Sequence, residues 1–267
     1  MNILLQYQEE VKKFNAEEES FDIVLNSSLV CLINWGDWHW GALNTNYKQI
    51  IEDVKFIKET PNLYAVINGD MLNNAIEFSH TGMRFEELTA PNIAKEVVKQ
   101  IIEDLAGHIL VVVSGDHDNW SFLMDDFKPA EYFAHHGKTH FFQWGGKINL
   151  TVNKIQYSIV ARHRYYGNSR KNTNNAHENL WRESNADIIM LAHTHMNMIK
   201  DEFIEMDNRL KVFLNSGTYK RKDNFSQRGG YLPGQSVFPA VILSGEEKKA
   251  WTFNNFRDAV DFMNSKY

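Results

Sequence analysis

Three short segments of the 267-residue chain place acids and histidines just after a glycine: Gly36-Asp37-Trp38-His39, Gly69-Asp70-Met71-Leu72-Asn73 and Gly115-Asp116-His117-Asp118-Asn119. Two later segments add imidazoles, Ala161-Arg162-His163-Arg164 and His193-Thr194-His195. Carboxylate oxygens and imidazole nitrogens, with no thiolate among them, suit manganese, iron, zinc or magnesium-like ions rather than copper(I) or a structural zinc. Each piece alone is weak. An Asp-x-His triplet is commonly a turn aspartate beside a surface histidine, and Gly-Asp is a frequent turn. His-Thr-His carries more, because two imidazoles reach the same side of an extended chain only at a two-residue spacing.

These residues need a scaffold that brings them together, and apolar runs supply one. Leu29 to Ile33, Leu63 to Ile67, Ile109 to Val113, Tyr157 to Ala161 and Asp187 to Leu191 read as strands, each running into one of the five segments. In open α/β sheets the ends of strands converge on one crevice, so groups far apart in sequence meet there. Each glycine allows a tight turn out of its strand. Between the early strands, Tyr47 to Thr60 has helical periodicity, and a further helix opens at Pro91 and closes at Gly107, matching the preference for Pro in the first turn and Gly just past the end. This alternation predicts an α/β core.

The second half favours hairpins: Ile148 to Val152 and Ile155 to Val160 flank Asn153-Lys154, and Phe203 to Met206 and Leu210 to Leu214 flank Asp207-Asn208. A helix from Asn175 to Glu183, closing strands Ala240 to Leu243 and Ala250 to Phe253, and a last helix from Phe256 to Met263 complete the pattern. Asn2 to Glu18 reads as a surface helix ahead of the main fold, so that 1–20 precede the core of a single domain spanning 1–267.

Composition narrows the classes. With 43% hydrophobic residues and no Pro/Gly/Ser-rich linker the chain is long enough to bury a sizeable core as one domain. A formal net charge of -6 offers no overall field for nucleic acid or anionic membrane, so a polyanionic substrate must meet a metal or a local basic patch. Cys31 is the only cysteine and sits in an apolar strand, which rules out an internal disulfide. The acidic N-terminus does not resemble a signal peptide and no apolar run has the length of a membrane span, so the expectation is a cytoplasmic protein with no membrane partner.

Taken in order, Asp-x-His, Gly-Asp-x-x-Asn, Gly-Asp-His-Asp, a lone His and Ala-His-x-His resemble the five motifs of the calcineurin-like metallophosphoesterase superfamily, over about Trp35 to Thr218. The resemblance implies a four-layer α-β-β-α sandwich of two mixed sheets flanked by helices. It also implies two divalent metal ions, manganese foremost with iron, zinc, magnesium or nickel as alternatives. Asp37, His39 and His195 would bind the first ion, Asp116, His163 and His193 the second, and Asp70 would bridge them. A hydroxide between the ions would then attack a phosphomonoester or phosphodiester. His117 would assist the leaving group, and Asn73 would hydrogen-bond its imidazole, although Asn at that position also suits a plain turn.

The chain departs from the family pattern at Asp116, where Asn is usual, and at Ala192, where Gly is usual. A carboxylate at 116 adds negative charge that tightens a hard cation yet lessens its Lewis acidity and repels phosphate. A catalytically impaired metal-binding scaffold is therefore one alternative, and a DNA nuclease of the same superfamily is another. For substrate, Arg164 is the first candidate for a phosphate clamp because guanidinium binds two oxygens at once. Tyr219-Lys220-Arg221-Lys222, Arg228 and Tyr231 read as a solvated loop or as a nucleotide-holding one. Trp38, Trp40 and Trp120 read as walls that exclude water, one of them able to stack a base. His135, His136 and His140 are expected in a loop, and His80 and His177 on the surface.

Overall fold

The computed structural model describes residues 3–6, 20–76, 83–204 and 209–265; His80, most of the expected N-terminal helix and the turn of the second hairpin lie outside them. Residues 3–6 are helical. Two six-stranded mixed sheets form the centre. The strands in chain order are β1 (Ser20–Leu25), β2 (Leu29–Trp35), β3 (Leu63–Asn68), β4 (Ile109–Val113), β5 (His140–Phe142), β6 (Gly146–Val152), β7 (Ile155–Ala161), β8 (Ile188–Leu191), β9 (Met198–Ile204), β10 (Arg209–Asn215), β11 (Ala240–Ser244) and β12 (Ala250–Phe253). One sheet has the order β1-β6-β7-β8-β10-β9 and the other β12-β11-β2-β3-β4-β5.

Alternation along the strands builds the layers, because successive side chains face opposite sides of a sheet. In β2, Val30 and Leu32 pack toward the other sheet, with Val66, Val111, Leu150, Ile188 and Leu214. Cys31, Ile33 and Trp35 point the other way, into a layer closed by helices Tyr47–Glu59, Pro91–Asp104, Pro129–His136 and Phe256–Ser265. On the far sheet, Ile189 and Leu191 of β8 meet Ala176 and Leu180 of helix Thr173–Ser184. The result is the expected α-β-β-α sandwich, and each strand pattern needs all of it, since both faces of the central strands are apolar.

Several local expectations change. Ser20–Leu25, assigned to no element by periodicity, is an edge strand whose parallel register on β6 begins at Ser20↔Lys147. His135 and His136 end a helix, and His140 opens a strand, instead of lying in a loop. His177 is buried: its Nδ1 lies 2.9 Å from the Thr173 carbonyl oxygen and its Nε2 3.2 Å from that of Leu214, and burial pulls its pKa down to about 4. Helical spacing at 177 places it on the inner face, which the polar residues around it conceal. No helix among the described residues is long and apolar enough to cross a membrane.

The two sheets are joined by asparagines where the apolar seam ends. Asn34 and Asn68 occupy the next inward positions after Leu32 and Val66. Asn34 Nδ2 donates to the carbonyls of Leu191 at 2.7 Å and Leu214 at 2.9 Å, while Asn68 Nδ2 donates to Asn34 Oδ1 at 3.2 Å and to the Met190 carbonyl at 3.1 Å. All of this is buried, so each bond lost leaves a polar group without water to replace it. Replacing Asn34 with Leu is expected to cost about 2–4 kcal/mol by chemical denaturation; a change within about 0.5 kcal/mol, the range of ordinary surface substitutions, would show that the seam does not hold the sheets.

Candidate metal centre

Just beyond that seam, the chain ends of both sheets meet. Asp37 and His39 follow β2, Asp70 follows β3, Asp116 and His117 begin helix Asp116–Asp125 after β4, His163 follows β7, and His193 and His195 follow β8. Asp37, His39, Asp70, His193 and His195 all adopt left-handed backbone conformations, with φ of 56°, 49°, 54°, 70° and 60°. Non-glycine residues rarely sit there, and such strain gathers where a site fixes it.

The glycines before them act differently from one another. Gly69 takes a φ of 82°, a turn that favours glycine, but Gly115 has an ordinary φ of −98°. It is required by close approach instead: a Cβ there would lie 2.1 Å from Asp70 Oδ1.

The donors come together in overlapping groups, each with its ligand atoms within 4.8 Å of one another: Asp37, His39 and His195; Asp116, His163 and His193; Asp37, Asp70 and His163; and His39, Asp70 and His117. In the first group His195 Nε2 lies 3.3 Å from Asp37 Oδ1 and 3.0 Å from His39 Nε2. In the second, His193 Nδ1 lies 3.3 Å from Asp116 Oδ2. Asp70 Oδ2 sits between the groups, 3.2 Å from His163 Nε2 and 4.0 Å from His39 Nε2.

Surrounding bonds orient these donors. His163 Nδ1 is 2.8 Å from the Asn68 carbonyl oxygen, which puts a proton on Nδ1 and turns Nε2 inward toward Asp70. The His193 amide donates to Asp37 Oδ2 at 2.9 Å, and the Thr218 hydroxyl to the Asp37 carbonyl at 2.7 Å. The His117 amide, at the helix N-terminus, donates to Asp70 Oδ1 at 2.8 Å. Asp37 Oδ1 and His163 Nε2 are buried with no hydrogen-bond partner. Buried polar atoms are almost always satisfied, so orphans of both donor types at the meeting point fit a cation.

The electrostatics agree. Burial holds His39 well below its usual pKa, with His117 and Lys220 adding to the effect, and burial also lowers His193. Neutral imidazoles are the form that ligates. Burial would raise Asp70, but His163 and His117 override it and hold the carboxyl well below its usual range. His163 goes the other way: burial alone would lower it, and the Asp70 carboxylate lifts it well above its usual value. A proton on His163 and a metal cation are thus alternative counter-charges for the same buried carboxylate.

Asp116 is not an isolated surplus charge. Arg164 Nη1 lies 3.0 Å from its Oδ2, and Asp116 occupies the first position of its helix, where the dipole favours an anion. Asn73 departs from expectation. His117 Nδ1 bonds to its main-chain carbonyl, not to its amide. The amide instead donates to Glu87 Oε1 at 2.5 Å and accepts from Lys220 Nζ at 3.0 Å.

Sequence reasoning assigned no role to Asp118, Trp144 or Arg170, and read Tyr219 and Lys220 as part of a solvated or nucleotide-holding loop. Asp118 accepts from the amides of Gly115 at 2.9 Å and Asp70 at 3.1 Å, and burial with the Asp70 charge pushes it up to about 7; its place three residues after the helix-capping glycine was the available signal. Lys220 is buried against Asp223 at 2.9 Å, and Tyr219 is buried too, donating to Asp53 Oδ2 at 2.7 Å, so the stretch read as a solvated loop is half interior. Trp144 and Arg170 join Trp120 around a cavity of about 760 Å³ over the cluster, whereas Trp38 is fully buried behind it.

Comparison with known proteins places the chain. Residues 34–197 match the family model for calcineurin-like phosphoesterases, an interval that contains every donor named above. Among solved structures it is similar to vacuolar protein sorting 29 from Cryptosporidium parvum, with 15% identity and a TM-score of 0.46 over 86% of this chain and 100% of that one. Zinc-complexed Vps29 from Entamoeba histolytica gives 14% and 0.38 over 84% and 97%, and Pseudomonas putida nuclease MPE 13% and 0.36 over 83% and 86%. No curated protein matches. The chain belongs to the calcineurin-like phosphoesterase family.

Proposed function

We propose that this chain hydrolyses a phosphate ester with two divalent cations, one held by Asp37, His39 and His195, the other by Asp116, His163 and His193, with Asp70 shared. The observation that carries the reading is the convergence of these donors around the orphaned Asp37 Oδ1 and His163 Nε2. Oxygen and nitrogen donors without sulfur favour manganese, with iron, zinc, magnesium or nickel as the other candidates. When bound, such a pair supplies Lewis acidity to the phosphate oxygens and activates water as a nucleophile near neutral pH.

The chain's own residues supply the rest. His117 lines the cavity, and its Nδ1–H is fixed on the Asn73 carbonyl, so Nε2 faces the position of the leaving oxygen and gives up a proton there from the imidazolium, a form that burial disfavours and the Asp70 carboxylate favours. Lys220 and Glu87 clamp the Asn73 amide and so hold that carbonyl still. Asn73 and Lys220 act as positioning residues. Arg164 offsets the Asp116 charge and, from the cavity wall, reaches a non-bridging phosphate oxygen. This pairing favours an active enzyme over an impaired scaffold: the extra carboxylate brings its own counter-ion.

Hydrolysis of bis(4-nitrophenyl) phosphate is expected to require added manganese and to vanish with a chelator or in Asp70→Asn, which removes the shared charge; full turnover by that variant would refute the reading. His117→Ala is expected to keep its metal content and to lose about 10²-fold or more in kcat on esters with poor leaving groups, with a smaller loss on 4-nitrophenyl esters; equal losses on both would remove the proton-donor role. Asp116→Asn is expected to need more manganese for half-maximal rate, by roughly tenfold; a variant active only with Asn at 116 would instead identify the natural residue as inactivating.

A further inference from the structure

The cavity extends well beyond what a metal-held phosphate occupies, and its two walls differ in chemistry. At about 760 Å³ it falls within the roughly 300–1,000 Å³ typical of sites that enclose an organic ligand. One wall grows from helix Asp116–Asp125 and the turn before β6. Trp120 stacks on His117, with ring centroids 4.1 Å apart and planes at 29°. Leu123 and Trp144 continue the surface, with 76% and 58% of their area exposed, high for large apolar side chains that line a cavity. Trp144 is held edge-on by Phe122 at 6.3 Å. Between the two indoles, Asn119 Oδ1 accepts from Ser114 Oγ at 3.2 Å and from buried Gln143 Nε2 at 2.7 Å, which fixes the amide and leaves its Nδ2 donor unused by the described residues.

The other wall is cationic. Arg164, Arg170, Lys220, Arg221 and Lys222 all line the cavity; Arg164 is paired with Asp116 and Lys220 with Asp223, which leaves Arg170, Arg221 and Lys222 as the surplus among the described residues. Arg170 is locked in place, its Nε donating to the Thr194 carbonyl at 2.7 Å and its Nη1 to the Leu232 carbonyl at 2.9 Å. In a chain of net charge -6 this is a local reversal. One phosphate facing two cations needs no such surplus, whereas further phosphates along a backbone do.

From these two walls we infer that the ester is a nucleic-acid phosphodiester, with a nucleobase seated on the Trp120–Leu123–Trp144 surface beside His117 and neighbouring phosphates along the Arg164, Arg170 and Lys222 side. The inference rests on the hydrolytic reading above and names its substrate class. Indole faces take any base by stacking, and the fixed Asn119 Nδ2 presents one donor to a base carbonyl. A phosphopeptide offers no second phosphate to the cationic wall, so it is the less fitting occupant. The narrow bed around one reacting phosphate suits a single strand, whose bases are free to splay onto aromatic rings.

The test uses manganese-loaded protein and three probes: a pentathymidylate, an abasic pentamer with the same number of phosphates, and a phosphoserine peptide. Affinity is read from competition against a fluorescent thymidylate whose phosphodiesters are replaced by phosphorothioates, and cleavage is followed in parallel. Trp144 touches none of the proposed ligands, so Trp144→Ala is expected to leave the manganese content of the protein unchanged. It should weaken pentathymidylate binding by roughly 5- to 150-fold, the loss of one stacked base, leave the abasic pentamer unaffected, and be largely rescued by Trp144→Phe. Equal loss on thymidylate and abasic chains, no loss on either, or tighter binding of the phosphopeptide than of thymidylate would overturn the inference. Should thymidylate bind through Trp144 with no ester hydrolysed, the hydrolytic reading fails while the platform stands; should simple diesters turn over with Trp144 irrelevant to thymidylate, the reverse holds.

Discussion

Two carboxylates, Asp37 and Asp70, lie buried where the sheets meet, and their charge is the constraint around which the rest is arranged. A buried anion is costly unless paired or bound to a cation. Here the nearest partners are imidazoles: burial keeps His39 and His193 neutral, so they add lone pairs, whereas His163, lifted by the Asp70 carboxylate, holds the compensating proton that a cation would replace. Hydrogen bonds from the amides of His193 and His117 satisfy one oxygen of each carboxylate, leaving the remaining oxygens, Asp37 Oδ1 and Asp70 Oδ2, facing the imidazoles. Backbone strain at five of these positions is maintained because two sheets, locked through Asn34 and Asn68, dictate where each strand ends.

Asp116 illustrates how a local departure is accommodated. Added alone, a third carboxylate would repel phosphate and enlarge the unpaired negative charge. Placed at a helix N-terminus with Arg164 at 3.0 Å, it becomes part of a near-neutral unit on the cavity wall. The guanidinium also lines the cavity above the cluster, so a single residue links charge balance at the cluster to the place where the proposed ester would enter.

The donor residues were legible because they sit at strand ends, a position where a two-residue period gives way abruptly to glycine and charge. An α/β core followed from apolar strands alternating with helical segments, and the two-sheet sandwich followed from the family resemblance. What escaped sequence reading involved side chains whose partners are remote. Ser20–Leu25 does alternate, with Phe21, Ile23 and Leu25 turned to the core, but over only six residues beside an acidic run, and it pairs as an edge strand on β6. His177 looks like a surface histidine until the fold is seen to bury it between the carbonyls of Thr173 and Leu214, one of which accepts its single N–H. Asn73 meets His117 through its main-chain carbonyl and not through the expected side-chain amide, a choice that residue identity does not disclose. Trp144 lies in no motif, and its exposure over the cavity is visible only once the two walls are assembled.

The most direct test of the central claim is anomalous diffraction from crystals soaked in manganese. The account predicts two metal peaks a few ångströms apart that share Asp70 as a ligand, one beside Asp37, His39 and His195 and the other beside Asp116, His163 and His193. Absence of any peak at these residues under saturating manganese, or peaks bound only at surface carboxylates, would contradict it.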